Sequence, residues 1–144
     1  MARTIKKSRK SGGGPMSKVD YMKVFVKRML ETTPVIRLYH WKTESRATHK
    51  ATDHLLGTLT EIIDKYVETL MGKTNIKLKT SDYNTLTVKT PENNQGLEKY
   101  IHELINFLLE IHKKLDLEKD VDLTNLRDEM IGDLNRFLYL LRLK

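Results

Sequence analysis

The 144-residue sequence contains no cysteine, only three prolines and only seven glycines. Without cysteine, the chain can form neither a disulfide nor a thiolate metal site. No apolar run reaches the roughly 18 residues of a membrane-spanning helix, so we expect no membrane partner. The basic N-terminus is not followed by the apolar region of a secretory signal, which favours a cytoplasmic protein. The remaining composition, 39% hydrophobic and 31% charged, suits one globular domain.

Acidic side chains are missing from the first 18 residues, which hold six of the chain's basic ones. Residues 12–14 are glycines, and no apolar neighbours would offset the entropy lost in ordering them. We therefore predict a flexible basic arm over residues 1–17 and a folded domain over residues 18–144. Such an arm is typical of non-specific contacts with DNA phosphates, and the alternative is a tail for solubility or assembly. The predicted phosphate contacts are Arg3, Lys6, Lys7, Arg9 and Lys10.

Four segments carry apolar residues spaced three and four apart, which is the pattern of amphipathic helices. We predict helices from about residue 19 to 43, from 45 to 71, from 95 to 115, and from 123 to the C-terminus. Pro34 should kink the first helix or start a new one, and Gly72 should end the second. The single tryptophan, Trp41, is expected in the core.

Residues 73–95 lack a helical stripe, and their short apolar alternations predict extended chain with a small hairpin around residues 82–84. A connection of this length is uncommon between adjacent antiparallel helices. It is long enough to run the length of a helical bundle. We therefore predict an all-α, ferritin-like four-helix bundle with a long crossover between the second and third helices.

One flank of the second predicted helix carries two pairs of possible metal ligands, His49 with Asp53 and Asp64 with Glu68. At 100° per residue the four positions fall within about 100° of one another. The pairs lie about 16 Å apart along the helix, so one helix cannot bring both to one ion. Two copies packed antiparallel would join each pair to the complementary pair of the other copy, giving two equal sites. The alternative interpretation is an ordinary solvated helix flank.

Imidazole and carboxylate ligands without sulfur suit iron, manganese or zinc. A metal centre inside one bundle would need glutamates followed three residues later by histidine, and no glutamate of this sequence has that neighbour. Any site should therefore lie between subunits.

The residues "HW" at 40–41, H-x-x-x-D at 49–53 and D-x-x-x-E at 64–68 resemble those of the Dps family, the DNA-protecting mini-ferritins. The resemblance implies a homodimer or larger shell that binds iron and oxidises Fe(II) with peroxide or oxygen. It also implies a site with His40, His49 and Asp53 from one chain and Asp64 and Glu68 from another. The spacing from His40 to His49 is shorter than in that family by about three residues, nearly one helical turn.

The phrases "YHWKT" and "HKATD" are also similar to uncharacterised proteins of large DNA viruses. That similarity implies a virion location. The alternative function is then a non-catalytic structural component of a virion or DNA-packaging assembly, in which the bundle is kept and the iron chemistry is lost.

Overall fold

A computed structural model of the chain describes residues 16–143. It contains four α-helices and one short 3-10 helix, and no strand occurs between residues 16 and 143. The prediction of an all-α protein with four helices is confirmed. The helices are α1 (Lys18–Lys42), α2 (Arg46–Thr74), α3 (Asn94–His112) and α4 (Val121–Arg142), and the 3-10 helix is Thr80–Tyr83.

The predicted basic arm, with Arg3, Lys6, Lys7, Arg9 and Lys10, lies outside the described residues. The sixth basic residue of that stretch, Lys18, is the first residue of α1, and its ammonium lies 2.5 Å from the Asp120 carboxylate. Ser17 caps α1 by accepting a hydrogen bond from the Asp20 N–H. Lys18 was predicted in the folded domain, and Ser17, predicted as the last residue of the arm, is the cap of its first helix.

Three local predictions were wrong. The hairpin expected around residues 82–84 is replaced by the 3-10 helix. Gly72 does not end α2, which continues to Thr74 and ends at Asn75 in the left-handed conformation that asparagine tolerates. Trp41 is 69% exposed rather than buried. It lies 100° around α1 from the buried His40, on an outer face that it shares with Leu30 and Pro34.

Contacts at the helix ends define the direction of each helix. At one end, the Tyr39 hydroxyl donates to the Asn94 side-chain oxygen at 2.5 Å, and the Asn94 amide donates to the Thr48 hydroxyl at 3.4 Å. At the other end, Lys18 and Lys73 lie 2.5 and 3.3 Å from Asp120. The starts of α2 and α3 therefore meet the end of α1, and the start of α4 meets the start of α1 and the end of α2.

The segment between α2 and α3 must consequently travel from one end of the bundle to the other. The segment runs beside α1. Successive residues of the segment contact successively later residues of α1. Lys89 also lies 3.6 Å from Glu103 of α3, so the segment passes between α1 and α3. The contacts with α1 are Asp82 with Lys23 at 3.7 Å, the Thr87 N–H with Glu31 at 2.7 Å, and the Glu92 carbonyl with Lys42 at 2.6 Å.

The core is formed by one apolar stripe from each helix, as the spacing of three and four predicts. The stripes bury side chains such as Phe25, Leu59, Leu104 and Leu134 completely.

No described helix is both long and apolar enough to cross a bilayer.

Candidate metal centre

A short turn between α1 and α2 places His40 and His49 side by side. The Thr43 N–H bonds to the Tyr39 carbonyl at 2.9 Å and ends α1. Ser45 then caps α2 by accepting from the Thr48 N–H at 3.2 Å. The two imidazole rings stack with their centroids 3.9 Å apart and their planes 21° from parallel. The short turn thus brings the two predicted histidine ligands together.

Each of these histidines is hydrogen-bonded to the backbone of the other. His40 Nδ1 lies 2.9 Å from the His49 carbonyl oxygen, and His49 Nδ1 lies 3.0 Å from the His40 carbonyl oxygen. A carbonyl oxygen can only accept, so each Nδ1 carries the hydrogen and donates it. We call this arrangement the histidine clamp. In a neutral ring it leaves the lone pair on Nε2.

Neither Nε2 atom has a hydrogen-bond partner in the part of the chain that the structure describes. Histidines that bind metal commonly donate their second ring N–H to a backbone carbonyl, which fixes the ring and the tautomer. His40 and His49 have this arrangement. His49 is exposed and His40 is buried behind it, so only His49 faces the surface where a second chain could contribute ligands.

Thr52 completes the histidine clamp from inside the protein. Its side chain is fully buried, and its hydroxyl oxygen lies 2.9 Å from His40 Nδ1. The hydroxyl is also 2.8 Å from the Thr48 carbonyl and 3.0 Å from the His49 carbonyl, to which it can only donate. It therefore accepts from His40 and donates within α2. Thr52 was not among the predicted site residues, although a hydroxyl within the apolar stripe of a helix is a recognisable signal.

The three predicted carboxylate ligands are exposed on α2. Asp53, Asp64 and Glu68 make no hydrogen bond or ion pair with any residue between 16 and 143. Over that same range, no three His, Asp or Glu side chains come close enough to hold a metal ion. Within one chain, therefore, His40 and His49 come together, but Asp53, Asp64 and Glu68 do not join them in a cluster.

An open groove of about 580 Å³ runs between α1 and α2 on this flank. Leu30 and Pro34 of α1 line one wall, and Ile63 and Val67 of α2 line the other. Asp64 lies among the lining residues, so the groove reaches the second pair of predicted ligands. An apolar groove of this kind, bordered by polar residues, is typical of a surface that binds another protein.

A second buried polar cluster, which was not predicted from the sequence, lies at the opposite end of the bundle. The Asp120 carboxylate accepts from Lys18 at 2.5 Å and from the Asp116 N–H at 2.9 Å. Burial alone would raise the pKa of Asp120, but these hydrogen bonds outweigh it and hold the pKa below its usual value. The nearby Tyr21 hydroxyl is hydrogen-bonded to Tyr66, and burial raises the pKa of Tyr21 to about 12. We interpret this cluster as structural, since it joins α1, α2 and α4.

Comparison with curated proteins and with solved structures gives no match to the chain. One family model matches residues 40–141, a range that begins at His40 and includes all five predicted metal ligands. Because this match covers most of the sequence, the chain belongs to DUF5856, a family of unknown function.

Proposed function

We propose that this protein is a Dps-like member of the ferritin-like class, which binds Fe(II) and oxidises it at sites shared by two copies of the chain. The observation that carries the proposal is the histidine clamp. It holds two imidazoles together and leaves both Nε2 atoms without a partner, and the exposed Asp53 lies about one turn along α2 from His49. Other divalent metals that favour imidazole and carboxylate would also bind there.

The arrangement of the helices supports the ferritin-like part of the proposal. The two pairs of neighbouring helices are joined by a segment that runs the full length of the bundle, and ferritin-like bundles have one such long crossover. A simple up-and-down bundle would join α2 to α3 with a short loop instead.

The partner in this proposal is a second copy, with its α2 packed antiparallel to the first. His49 and Glu68 are equally far from the point between Thr58 and Leu59, and so are Asp53 and Asp64. A two-fold axis through that point therefore places His49 opposite Glu68 and Asp53 opposite Asp64 at both ends. The apolar groove lies along this flank, and its burial would supply the association free energy.

The charges of the opposed residues favour a cation between the two chains. Asp53 of one copy would face Asp64 of the other, and two like charges in close contact repel unless a cation is held between them. The imidazole Nε2 atoms would supply neutral ligands. Oxidation of two Fe(II) ions by one hydrogen peroxide and two protons gives two Fe(III) ions and two waters. The carboxylates would stabilise the ferric product by their negative charge.

We further propose that the basic residues Arg3, Lys6, Lys7, Arg9 and Lys10 bind DNA without sequence preference. Five cations without an acid among them suit phosphate contacts. Several arms on one assembly would act together, because each bound arm raises the effective concentration of the others.

The experiment measures native mass, bound metal and Fe(II) oxidation for the wild type and for Asp64→Ala with Glu68→Ala. The wild type should exceed the 16.9 kDa of one chain and should oxidise Fe(II) faster than buffer. The double variant should lose that activity but keep its helical content, because both side chains are exposed. Glu129→Ala with Asp133→Ala is the matched control, since it removes two acids at the same spacing from α4.

Two results would contradict the proposal. A wild-type protein that is monomeric at micromolar concentration would exclude the shared site. A wild-type assembly that binds no metal and oxidises iron no faster than buffer would favour the structural role in a virion or DNA-packaging assembly.

A further inference from the structure

We propose that Thr52 is a positioning residue for the metal site, because it holds His40 in the tautomer that presents Nε2 to a metal. This inference rests on the proposed function. It concerns a residue that is not itself a predicted ligand and that acts through the His40 ring.

The position of Thr52 calls for a reason beyond packing. The side chain is fully buried in the same stripe of α2 as Leu55 and Leu59. Valine would fill the same space without a polar atom, and a buried hydroxyl is unfavourable unless it is hydrogen-bonded. The Thr52 hydroxyl is bonded, and one of its partners is the ring of His40 on another helix. The bond therefore links the core of α2 to the orientation of His40.

The direction of these bonds selects one tautomer. The Thr52 hydroxyl donates to a carbonyl of α2, so its oxygen is left to accept from His40 Nδ1. If the His40 hydrogen moved to Nε2, the lone pair of Nδ1 would face two oxygens at 2.9 Å. Turning the hydroxyl towards Nδ1 would break its bond within α2 and still leave the His49 carbonyl oxygen opposed to that lone pair. Thr52 and the His49 carbonyl together keep the hydrogen on Nδ1.

Removing the Thr52 hydroxyl should weaken this selection. His40 Nδ1 would keep the His49 carbonyl as its acceptor, but the ring would lose the contact from the core side. Residues that orient metal-binding histidines typically change metal affinity by about 10- to 100-fold when mutated. We expect an effect at the lower end, about tenfold, because one of the two acceptors remains.

The test compares the wild type with Thr52→Val and Thr52→Ser in the full-length protein. Nitrogen-15 NMR of the imidazoles in metal-free protein reports which ring nitrogen carries the hydrogen, and calorimetric titration with Zn²⁺ reports affinity. In the wild type, His40 should carry its hydrogen on Nδ1. Thr52→Val should shift His40 towards a mixture of tautomers and weaken Zn²⁺ binding about tenfold. Thr52→Ser should restore both.

Thr32→Val is the matched control. Thr32 is equally buried, and its hydroxyl likewise donates to a carbonyl one turn earlier and contacts a second helix, at Tyr100. Its loss should lower thermal stability as much as the loss of the Thr52 hydroxyl, without changing the His40 tautomer or Zn²⁺ affinity.

The outcomes separate this inference from the proposed function. If the wild type binds Zn²⁺ and oxidises Fe(II) but Thr52→Val has unchanged affinity and tautomer, the positioning role is refuted and the proposed function stands. If the wild type binds no Zn²⁺ and oxidises no iron, both fail. Hydrogen on Nε2 of His40 in the wild type would refute the positioning role by itself, even if Thr52→Val does not fold.

Discussion

Replacing Gly57 with alanine should raise the stability of one chain and weaken its association with a second copy. Gly57 lies in the interior of α2, and a Cβ atom built there meets nothing within 4 Å. The new methyl group therefore costs nothing within the chain. Glycine is less favourable than alanine in a helix interior by roughly 0.5–1 kcal/mol, so the free energy of unfolding should rise by about that amount.

In the proposed dimer the same methyl group would have the opposite effect. Gly57 lies on the flank of α2 that carries His49 and Glu68, at 100° per residue. The two-fold axis that pairs His49 with Glu68 places Gly57 opposite Thr60, beside the point where the two helices cross. Overpacking at a tight contact costs about 1–3 kcal/mol. By the tenfold change per 1.4 kcal/mol, the dimer should dissociate about 5- to 150-fold more readily.

Urea unfolding and sedimentation equilibrium measure the two effects separately. Gly132→Ala provides the control, because Gly132 is also in a helix interior with no atom within 4 Å of an added Cβ, but it lies on α4. It should raise stability without changing association. If Gly57→Ala raises stability and leaves the dimer dissociation constant equal to that of Gly132→Ala, the helix crossing at α2 is refuted.

Three further results are expected. His49→Ala should abolish rapid Fe(II) oxidation, as measured by absorbance of the ferric product, and unchanged activity would exclude His49 as a ligand. Asp120→Asn should lower the free energy of urea unfolding at pH 7 by about 2 kcal/mol, because Lys18 and Lys73 lose their charged acceptor. Because the pKa of Asp120 is held below its usual value, the ionised carboxylate contributes to the free energy of unfolding above about pH 4, and this contribution is lost as the pH falls through the lowered pKa. The variant should therefore lose less stability on acidification than the wild type. Deleting residues 1–15, which leaves the Ser17 cap intact, should remove DNA retention in gel-shift assays and leave iron oxidation unchanged; in the full-length protein, log affinity should fall with log salt by up to about 0.9 per phosphate contacted.

The four helices were predictable because each must bury an apolar stripe, and that stripe recurs at three and four in the sequence. The connection between α2 and α3 was predictable in length but not in conformation. Its alternating apolar residues suggested a hairpin. The segment instead forms one 3-10 turn followed by exposed, irregular chain beside α1. Trp41 was misplaced because residue type alone does not indicate which side of a helix end faces its neighbours.

For the candidate site, the sequence predicts which residues share a helix flank but not how they are arranged. The spacing of His49, Asp53, Asp64 and Glu68 defines a flank, since a helix has a fixed period. The stacking of His40 on His49 depends on the path of the turn at residues 43–45, which helical periodicity does not describe. The burial of Asp120 depends on the meeting of three helix ends, so no local pattern could indicate it.

The long segment between α2 and α3 separates two helical hairpins, and its residues 84–90 are exposed, irregular chain. All five candidate ligands belong to the first hairpin, and the second contributes α3 and α4 to the common core. The candidate ligands and the helices that pack against them from the other side of the core therefore lie in separate parts of the sequence. The second hairpin can change its outer surface, to suit a different neighbour or environment, without altering a single candidate ligand.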